Sequence, residues 1–239
     1  MLNILQDGVL TSIQYETESA AMIAMVVYVL CSLLVPYLLG SINSAVLVSR
    51  LLYHEDIRTK GSGNAGLTNM HRTYGGRAAL FVLLGDVLKT VLSLLIVGLG
   101  CGMKYGAYGF ASTALLYLAG VACILGHIFP VYFRFKGGKG VLCTATMVLV
   151  LSPIVFLILF AVFVLLVLLT RYISVASMTV GLMYPFVLDR VLAFCGIGAD
   201  ILIMLSAILV ALLIVYCHRQ NIVRLWNREE NKFSFKRKK

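Results

Sequence analysis

The sequence predicts an all-α integral membrane protein with seven transmembrane helices, its N-terminus outside and its C-terminus cytoplasmic. Three observations predict it. The chain of 239 residues is 61% apolar, with a mean hydropathy of +0.97, against about 45–50% apolar for soluble chains. Its apolar runs reach or approach membrane length and alternate with short polar islands. Lys and Arg gather on alternate loops, as the orientation rule for membrane proteins requires. The length suits one membrane domain over residues 1–239 with no appended soluble one.

Residues 1–19 are polar and mildly acidic (Asp7, Glu16, Glu18), and the first basic residue is Arg50. A cleaved leader needs a basic start, so none is expected. Segment one runs from Ala20 to Tyr53 with Pro36 inside, too long for one span, so its end projects beyond the hydrocarbon. Further runs follow at 78–100, 108–126, 141–151, 153–170, 172–189 and 199–217. The stretch 141–170 is broken only by Ser152-Pro153, which predicts a short helix, a turn and a full-length helix. The six cysteines lie in or beside apolar runs and read as small buried hydrophobes, without a disulfide framework or metal spacing.

Charge checks the count. The predicted inner segments 50–77, 127–140, 171 and 218–239 hold 17 of the 20 basic residues. Lys104 and Arg190 fall outside, Lys89 lies within a helix, and five of ten acids fall outside. The net charge of +10 therefore has a membrane location, and no nucleic-acid partner is expected. The basic tail 218–239, with Leu225, Trp226, Phe233 and Phe235, either lies on anionic lipid or stays solvated.

Four polar islands carry the chemistry. The first joins the end of segment one (Ser41, Asn43, Ser44, Arg50) to the loop HEDIRTKGSGNAGLTNMHR. Asn43 and Arg50 are seven apart and share a face if the helix is continuous. Arginine at membrane depth is a functional hypothesis, though an Arg near the boundary also snorkels. Arg58, Lys60, Gly61, Ser62, Gly63, Asn64 and Gly66 suit a phosphate nest, whereas Gly and Ser alone also mark linkers. Island two is GHIFPVYFRFKGGKGVLCT at 126–144, with Lys136, Gly137, Gly138, Lys139 and Gly140. Its glycines let amides approach an anion, and a helix starting near Lys139 adds the positive end of its dipole. A basic loop also follows from orientation alone. Island three is Thr170-Arg171-Tyr172-Ile173-Ser174 with Ser177, and island four is His218-Arg219-Gln220-Asn221. Asp86 and Lys89, three apart in the second helix, neutralise each other inside the bundle, with a catalytic Asp86 as the alternative. All four islands fall at inner helix ends, which suits a lipid-chain substrate with an anionic head.

Several mechanisms are absent. No His is followed five residues later by Asp, no GxxxxGK[ST] loop occurs, and no GxSxG elbow occurs. The chemistry then rests on positioning and oxyanion-type electrostatics. A transporter or binder of phosphorylated or lipid substrates would also place polar groups at helix breaks, but usually shows repeats and midplane polarity. A phospho-alcohol transferase would need an acidic cluster for metal.

Together the stretches GSINSAVLVSR (40–50), IRTKGSGNAGLTNMHRTYG (57–75), GDVLKT (85–90), GHIFPVYFRFKGGKGVLCT (126–144), TRYISVAS (170–177) and HRQNIVRLWNREENKF (218–233) carry a resemblance. The sequence resembles the bacterial acyl-phosphate:glycerol-3-phosphate acyltransferases, the PlsY family. It departs from the common pattern at Asn43-Ser44, where Pro-Phe is usual, and at Cys143, where Ala is usual. The resemblance implies a seven-helix, multi-pass enzyme of the bacterial cytoplasmic membrane, its active site facing the cytoplasm. It would move a fatty acyl group from acyl phosphate to the 1-hydroxyl of glycerol 3-phosphate, the first step of phospholipid synthesis, with no metal or coenzyme. On this reading Gly61–Gly66 and Lys139 hold phosphate, joined by Lys136, Gly137, Gly138, Gly140 and Arg171. Arg50, Arg58 and Lys60 help bind either substrate. Ser41, Ser174, His218 and Asn221 surround the reacting groups; His218 or a substrate phosphate oxygen is the base.

Overall fold

The computed structural model describes residues 17–101, 109–198 and 200–233. Asp7, Glu16, Lys104 and the tail beyond Phe233 lie outside the described residues. Among the described residues the regular elements are all helical: α1 (Glu18–Gly40), α2 (Ser44–Tyr53), α3 (Leu67–Tyr74), α4 (Gly76–Cys101), α5 (Gly109–Ile128), α6 (Val141–Leu151), α7 (Pro153–Thr170), α8 (Ile173–Phe194), α9 (Ile201–Cys217) and α10 (Arg219–Trp226). Short 3₁₀ turns occur at Ile57–Thr59 and Val131–Phe133.

The long first segment is two helices. Thr17 starts α1 by accepting the Ala20 amide at 3.2 Å. The chain leaves helical geometry after Gly40, and Asn43 caps α2 by accepting the Val46 amide at 3.0 Å. The break corrects the expectation that Asn43 and Arg50 share one helix face: Asn43 is fully buried, whereas the Arg50 side chain is 52% exposed. A second correction is α3, which occupies a stretch read as loop. Its polar residues hide the signal, but Met70 is fully buried against Val46, Ile57 and Val82. The Ser152-Pro153 turn is as expected, with Pro153 opening α7, where its missing N–H costs nothing.

Among the described residues, five helical segments are long and apolar enough to cross a membrane: 18–53, 76–100, 113–133, 153–170 and 173–194. A sixth results if α9 and α10, bent by 50°, count as one. The apolar helix α6 has eleven residues. Large apolar side chains face outward along these helices, with Leu51 72% and Phe186 74% exposed. Lipid is the solvent that tolerates such a surface, and the chain is a multi-pass membrane protein.

The chain forms two compact units, divided between Met147 and Val148 within α6. In the first, α1 meets α5 through small residues. A side chain at Gly40 would strike the Cys123 carbonyl, and one at Gly126 would strike the Tyr37 carbonyl. Close backbone approach of this kind is how helices pack in lipid, where hydrophobic burial gives little. Tyr37 hydroxyl donates to the Phe129 carbonyl at 2.9 Å, and Tyr28 hydroxyl donates to the Val97 carbonyl of α4. In the second unit α8 lies between α7 and α9. Ile203, Ala207, Val210 and Ile214 form the buried stripe of α9, and Ile214 rests on Gly181 of α8.

Candidate active site

In the first unit, one side chain holds the loop after α2 from inside. Asn69, 2% exposed, donates through Nδ2 to the carbonyls of Lys60 and Asn64 at 3.0 Å and of Ile57 at 3.3 Å. Its Oδ1 accepts the Ser62 amide at 3.0 Å. Gly61 and Gly63 sit at φ +57° and +72°, conformations that favour glycine. The Gly63 and Gly66 amides bond within the loop, to Lys60 and Asn64 carbonyls at 3.0 and 3.1 Å. The amides of Gly61, Asn64 and Ala65 carry no hydrogen bond among the described residues. The expected nest is therefore narrower than the glycine run suggested.

The cations around this loop already have partners. Asp56 grips Arg58 in a fork, Nε to Oδ1 at 2.9 Å and Nη2 to Oδ2 at 2.7 Å, and accepts Arg50 Nη2 at 2.9 Å. The Arg58 hydrogen bonds outweigh burial and hold the Asp56 carboxyl well below the usual range; Asp56 in turn raises Arg58. Arg58 Nη1 then donates to the carbonyls of Phe133 and Lys136 at 2.9 and 3.1 Å. Sequence reasoning placed Arg58 on substrate; in the structure it clamps island one to island two. Lys60 pairs with Glu55 at 2.9 Å, which also accepts the Tyr74 hydroxyl at 2.9 Å. These two bonds lower Glu55, while burial and then Glu55 push Tyr74 up to about 12.

Island two folds back on the end of α5. The Gly137 and Gly138 amides donate to the Ile128 and His127 carbonyls, both at 3.1 Å. A Cβ on Gly138 would stand 2.7 Å from the Ala65 carbonyl and collide with His127 Nε2. The two glycine islands thus meet backbone to backbone, a contact that only glycine permits. Gly140, at φ +76°, precedes the start of α6 at Val141. Half-buried Lys139 sits beside that helix start, whereas Lys136 is exposed.

Beneath the islands lies a buried ionic network. Lys89 Nζ reaches Asp86 Oδ1 at 2.8 Å, His127 Nδ1 at 2.9 Å and the Ile42 carbonyl at 3.0 Å, which uses all three ammonium protons. Ser44 hydroxyl donates to Asp86 Oδ1 at 2.9 Å, so the residue that replaces the usual Phe joins the network. An ammonium only donates, so His127 accepts at Nδ1 and carries its proton on Nε2, beside Gly138. The mutual neutralisation of Asp86 and Lys89 is present, and the convergence of His127 on them was not legible in the sequence. Ligand atoms of Asp86, His127 and Cys143 lie within 4.8 Å of one another. Lys89 already supplies the positive charge there, which argues against a cation site. Ser41 is buried at the end of α1; its hydroxyl donates to the Tyr37 carbonyl at 2.9 Å and accepts the Val131 amide at 3.3 Å.

In the second unit a residue missed by sequence reasoning gathers two that were singled out. Glu230 Oε1 accepts Ser174 Oγ at 2.9 Å and Asn221 Nδ2 at 2.7 Å, and Oε2 accepts Arg224 Nε at 2.9 Å. Burial opposes its charge, but the bonds from Arg224, Asn221 and Ser174 hold the carboxyl below the ordinary range. His218, 3% exposed at the α9–α10 bend, points Nδ1 at the Ile214 carbonyl, 2.8 Å away. A carbonyl only accepts, so Nδ1 bears a proton in this contact. Arg171 ends α7 in left-handed geometry, and its carbonyl accepts the Phe233 amide at 2.6 Å. That bond ties the tail at Phe233 to the end of α7.

Comparison with known proteins matches this arrangement to one family. The sequence profile of the glycerol-3-phosphate acyltransferases covers residues 29–228. A glycerol-3-phosphate acyltransferase of Syntrophomonas wolfei is 41% identical, over 84% of this chain and 94% of that one. One from Chlorobaculum tepidum is 37% identical, over 87% and 98%. The crystal structure of PlsY, an integral membrane glycerol 3-phosphate acyltransferase, in its glycerol 3-phosphate form superposes with a TM-score of 0.74. It is 35% identical and covers 86% of this chain and 96% of that one. With the polar islands intact and the helical architecture shared, the chain belongs to the glycerol-3-phosphate acyltransferase family.

Proposed function

We propose that this protein transfers a fatty acyl group from acyl phosphate to the sn-1 hydroxyl of glycerol 3-phosphate. The products are 1-acyl-glycerol 3-phosphate and inorganic phosphate, and the reaction opens phospholipid synthesis. The observation that carries it is the junction of the two glycine islands, Gly138 against Ala65, beside Lys139 and the start of α6. Amides, an ammonium and a helix N-terminus are what a phosphoryl group needs. Solved PlsY structures in glycerol 3-phosphate and lysophosphatidic acid forms support the acceptor and product. The donor rests on the family resemblance.

In the first unit, Lys139 with the Gly61, Asn64 and Ala65 amides binds phosphate, helped by Lys136, Gly137, Gly138 and Gly140. Arg50 and Lys60, whose side chains are 52% and 45% exposed, leave their carboxylates for a substrate anion at little cost. In the second unit, Ser174, His218 and Asn221 act on the hydroxyl. The hydroxyl oxygen attacks the acyl carbonyl carbon, the carbon–phosphate oxygen bond breaks, and a phosphate oxygen takes the proton. Phosphate leaves readily, so His218 serves to position. This chemistry draws on no metal or coenzyme.

The same reading gives a single acyltransferase domain in the bacterial inner membrane. Its seven membrane helices are α1 with α2, then α4 to α9, with the N-terminus outside and the polar islands facing the cytoplasm. The 17 of 20 basic residues on the predicted inner side support it. Purified protein should release phosphate when given acyl phosphate and glycerol 3-phosphate, and show little turnover with acyl-CoA or acyl-carrier protein. Efficient acyl-CoA use without acyl phosphate would overturn the donor. Reporters after residues 104 and 239 should report opposite sides of the membrane; the same side would overturn the topology.

A further inference from the structure

We propose that α10 is an interfacial helix that docks one end of the second unit onto anionic phospholipid of the bilayer. Its exposed side is apolar, formed by Ile222, Val223 and Trp226, the last 88% exposed. Positions 222, 223 and 226 share one helix face, and buried Asn221 lies on the opposite one. The face follows the exposed apolar stripe of α9, which runs through Leu205, Leu209, Leu212 and Tyr216. Length puts the bilayer boundary on α10. The 17 residues of α9 rise about 25 Å, short of the ~30 Å hydrocarbon core, and Asp200 caps the other end. The chain therefore reaches α10 still near membrane depth, and the 50° bend there turns the helix away from the crossing direction.

Charge selects the lipid. Among the described residues at this end, Arg171, Arg219, Arg228 and Lys232 are exposed, against one exposed acid, Glu229. The Arg219 guanidinium lies 4.5 Å from the centre of the Tyr216 ring and donates to the Tyr216 carbonyl at 3.1 Å. Lys232 Nζ stands 5.8 Å from the centre of the Tyr172 ring. Cations laid over tyrosines, beside an exposed tryptophan, suit a membrane–water boundary with anionic headgroups. A second copy of the chain fits the face less well. Eight residues offer far less than the roughly 800 Å² per partner of a stable interface, and two such faces would bring like charges together. Docked in this way, the bilayer braces α10 from the side away from Asn221, next to the bend that holds His218.

Trp226 is the only tryptophan in the chain, so its fluorescence reports on this face alone. Full-length protein is reconstituted in vesicles of equal parts phosphatidylcholine and phosphatidylglycerol, with the upper acyl chain of one lipid or the other brominated. Brominated lipid should quench Trp226, and brominated phosphatidylglycerol several-fold more strongly than brominated phosphatidylcholine. Each arginine removed should reduce that preference by up to roughly 5-fold, the scale of one cation at an anionic surface. Arg219→Gln/Arg228→Gln should therefore bring the two lipids close to parity, as should salt at about 1 M, where charges are screened within ~3 Å. Arg190→Gln, near the far end of α8 and paired with Asp189, should match wild type. Equal quenching by the two lipids in wild type would overturn the proposal, whatever the variants do, and so would a double variant that keeps the full preference. Quenching by aqueous acrylamide with none by lipid would show a solvated face, and shielding from both quenchers would show a contact between protein copies; either would overturn it. The readout involves no acyl transfer, so its failure and that of the proposed function are separate results.

Discussion

Lys89→Met is the sharpest test of how the first unit is held together. Methionine keeps most of the volume of the aliphatic stem but removes three hydrogen bonds: to Asp86 at 2.8 Å, His127 at 2.9 Å and the Ile42 carbonyl at 3.0 Å. Asp86, 2% exposed, would keep the Ser44 hydroxyl as its main partner. Breaking a buried pair by deleting one member costs about 3–5 kcal/mol, because a charge is left without compensation. At about 2–4 °C per kcal/mol for a chain of this size, Tm falls by roughly 6–20 °C. Thermal unfolding of the purified protein in detergent measures it. The Lys89→Met/Asp86→Asn double variant removes the stranded charge and should be more stable than Lys89→Met alone. A Lys89→Met protein within about 1 kcal/mol of wild type would refute the reasoning, since a pair so buried cannot then depend on its ammonium.

Gly138→Ala should abolish the meeting of the islands, since its Cβ would stand 2.7 Å from the Ala65 carbonyl, and should cut kcat/KM by about 10-fold or more. Gly76→Ala, where a Cβ meets nothing within 4 Å, should raise helix stability by about 0.5–1 kcal/mol and leave activity alone. Asp56→Asn should cost about 1–2 kcal/mol, because Arg58 loses its fork. The folded carboxyl titrates below its ordinary value, so that contribution is complete above about pH 4 and is lost only as pH falls through the folded value; denaturation series at several pH values measure the gap. His218→Gln should raise KM and leave kcat largely intact; a kcat loss of about 100-fold, with an acid limb that vanishes in the variant, would make His218 the base instead.

The sequence by itself determined the membrane character, the positions of the long helices and the chemical type of the islands. Apolar length, basic side preference and the Ser152-Pro153 break are local properties, readable without knowing what touches what. Asp86–Lys89 was legible for the same reason, since three residues of helix bring the two together. Where a residue's meaning depends on a distant partner, the sequence was silent or misleading. Arg58 looks like an anion binder until Asp56 and the island-two carbonyls are seen to hold it. Asn69 sits in a polar octapeptide with nothing to mark it as the hub of the loop. Glu230, in a tail rich in Lys and Arg, stands six residues from Arg224, nine from Asn221 and 56 from Ser174. No helical period connects those positions. Only the fold of α8 and α10 and the return of the tail bring their donors onto one carboxylate, and hydrogen bonding acts over distances that sequence separation does not encode.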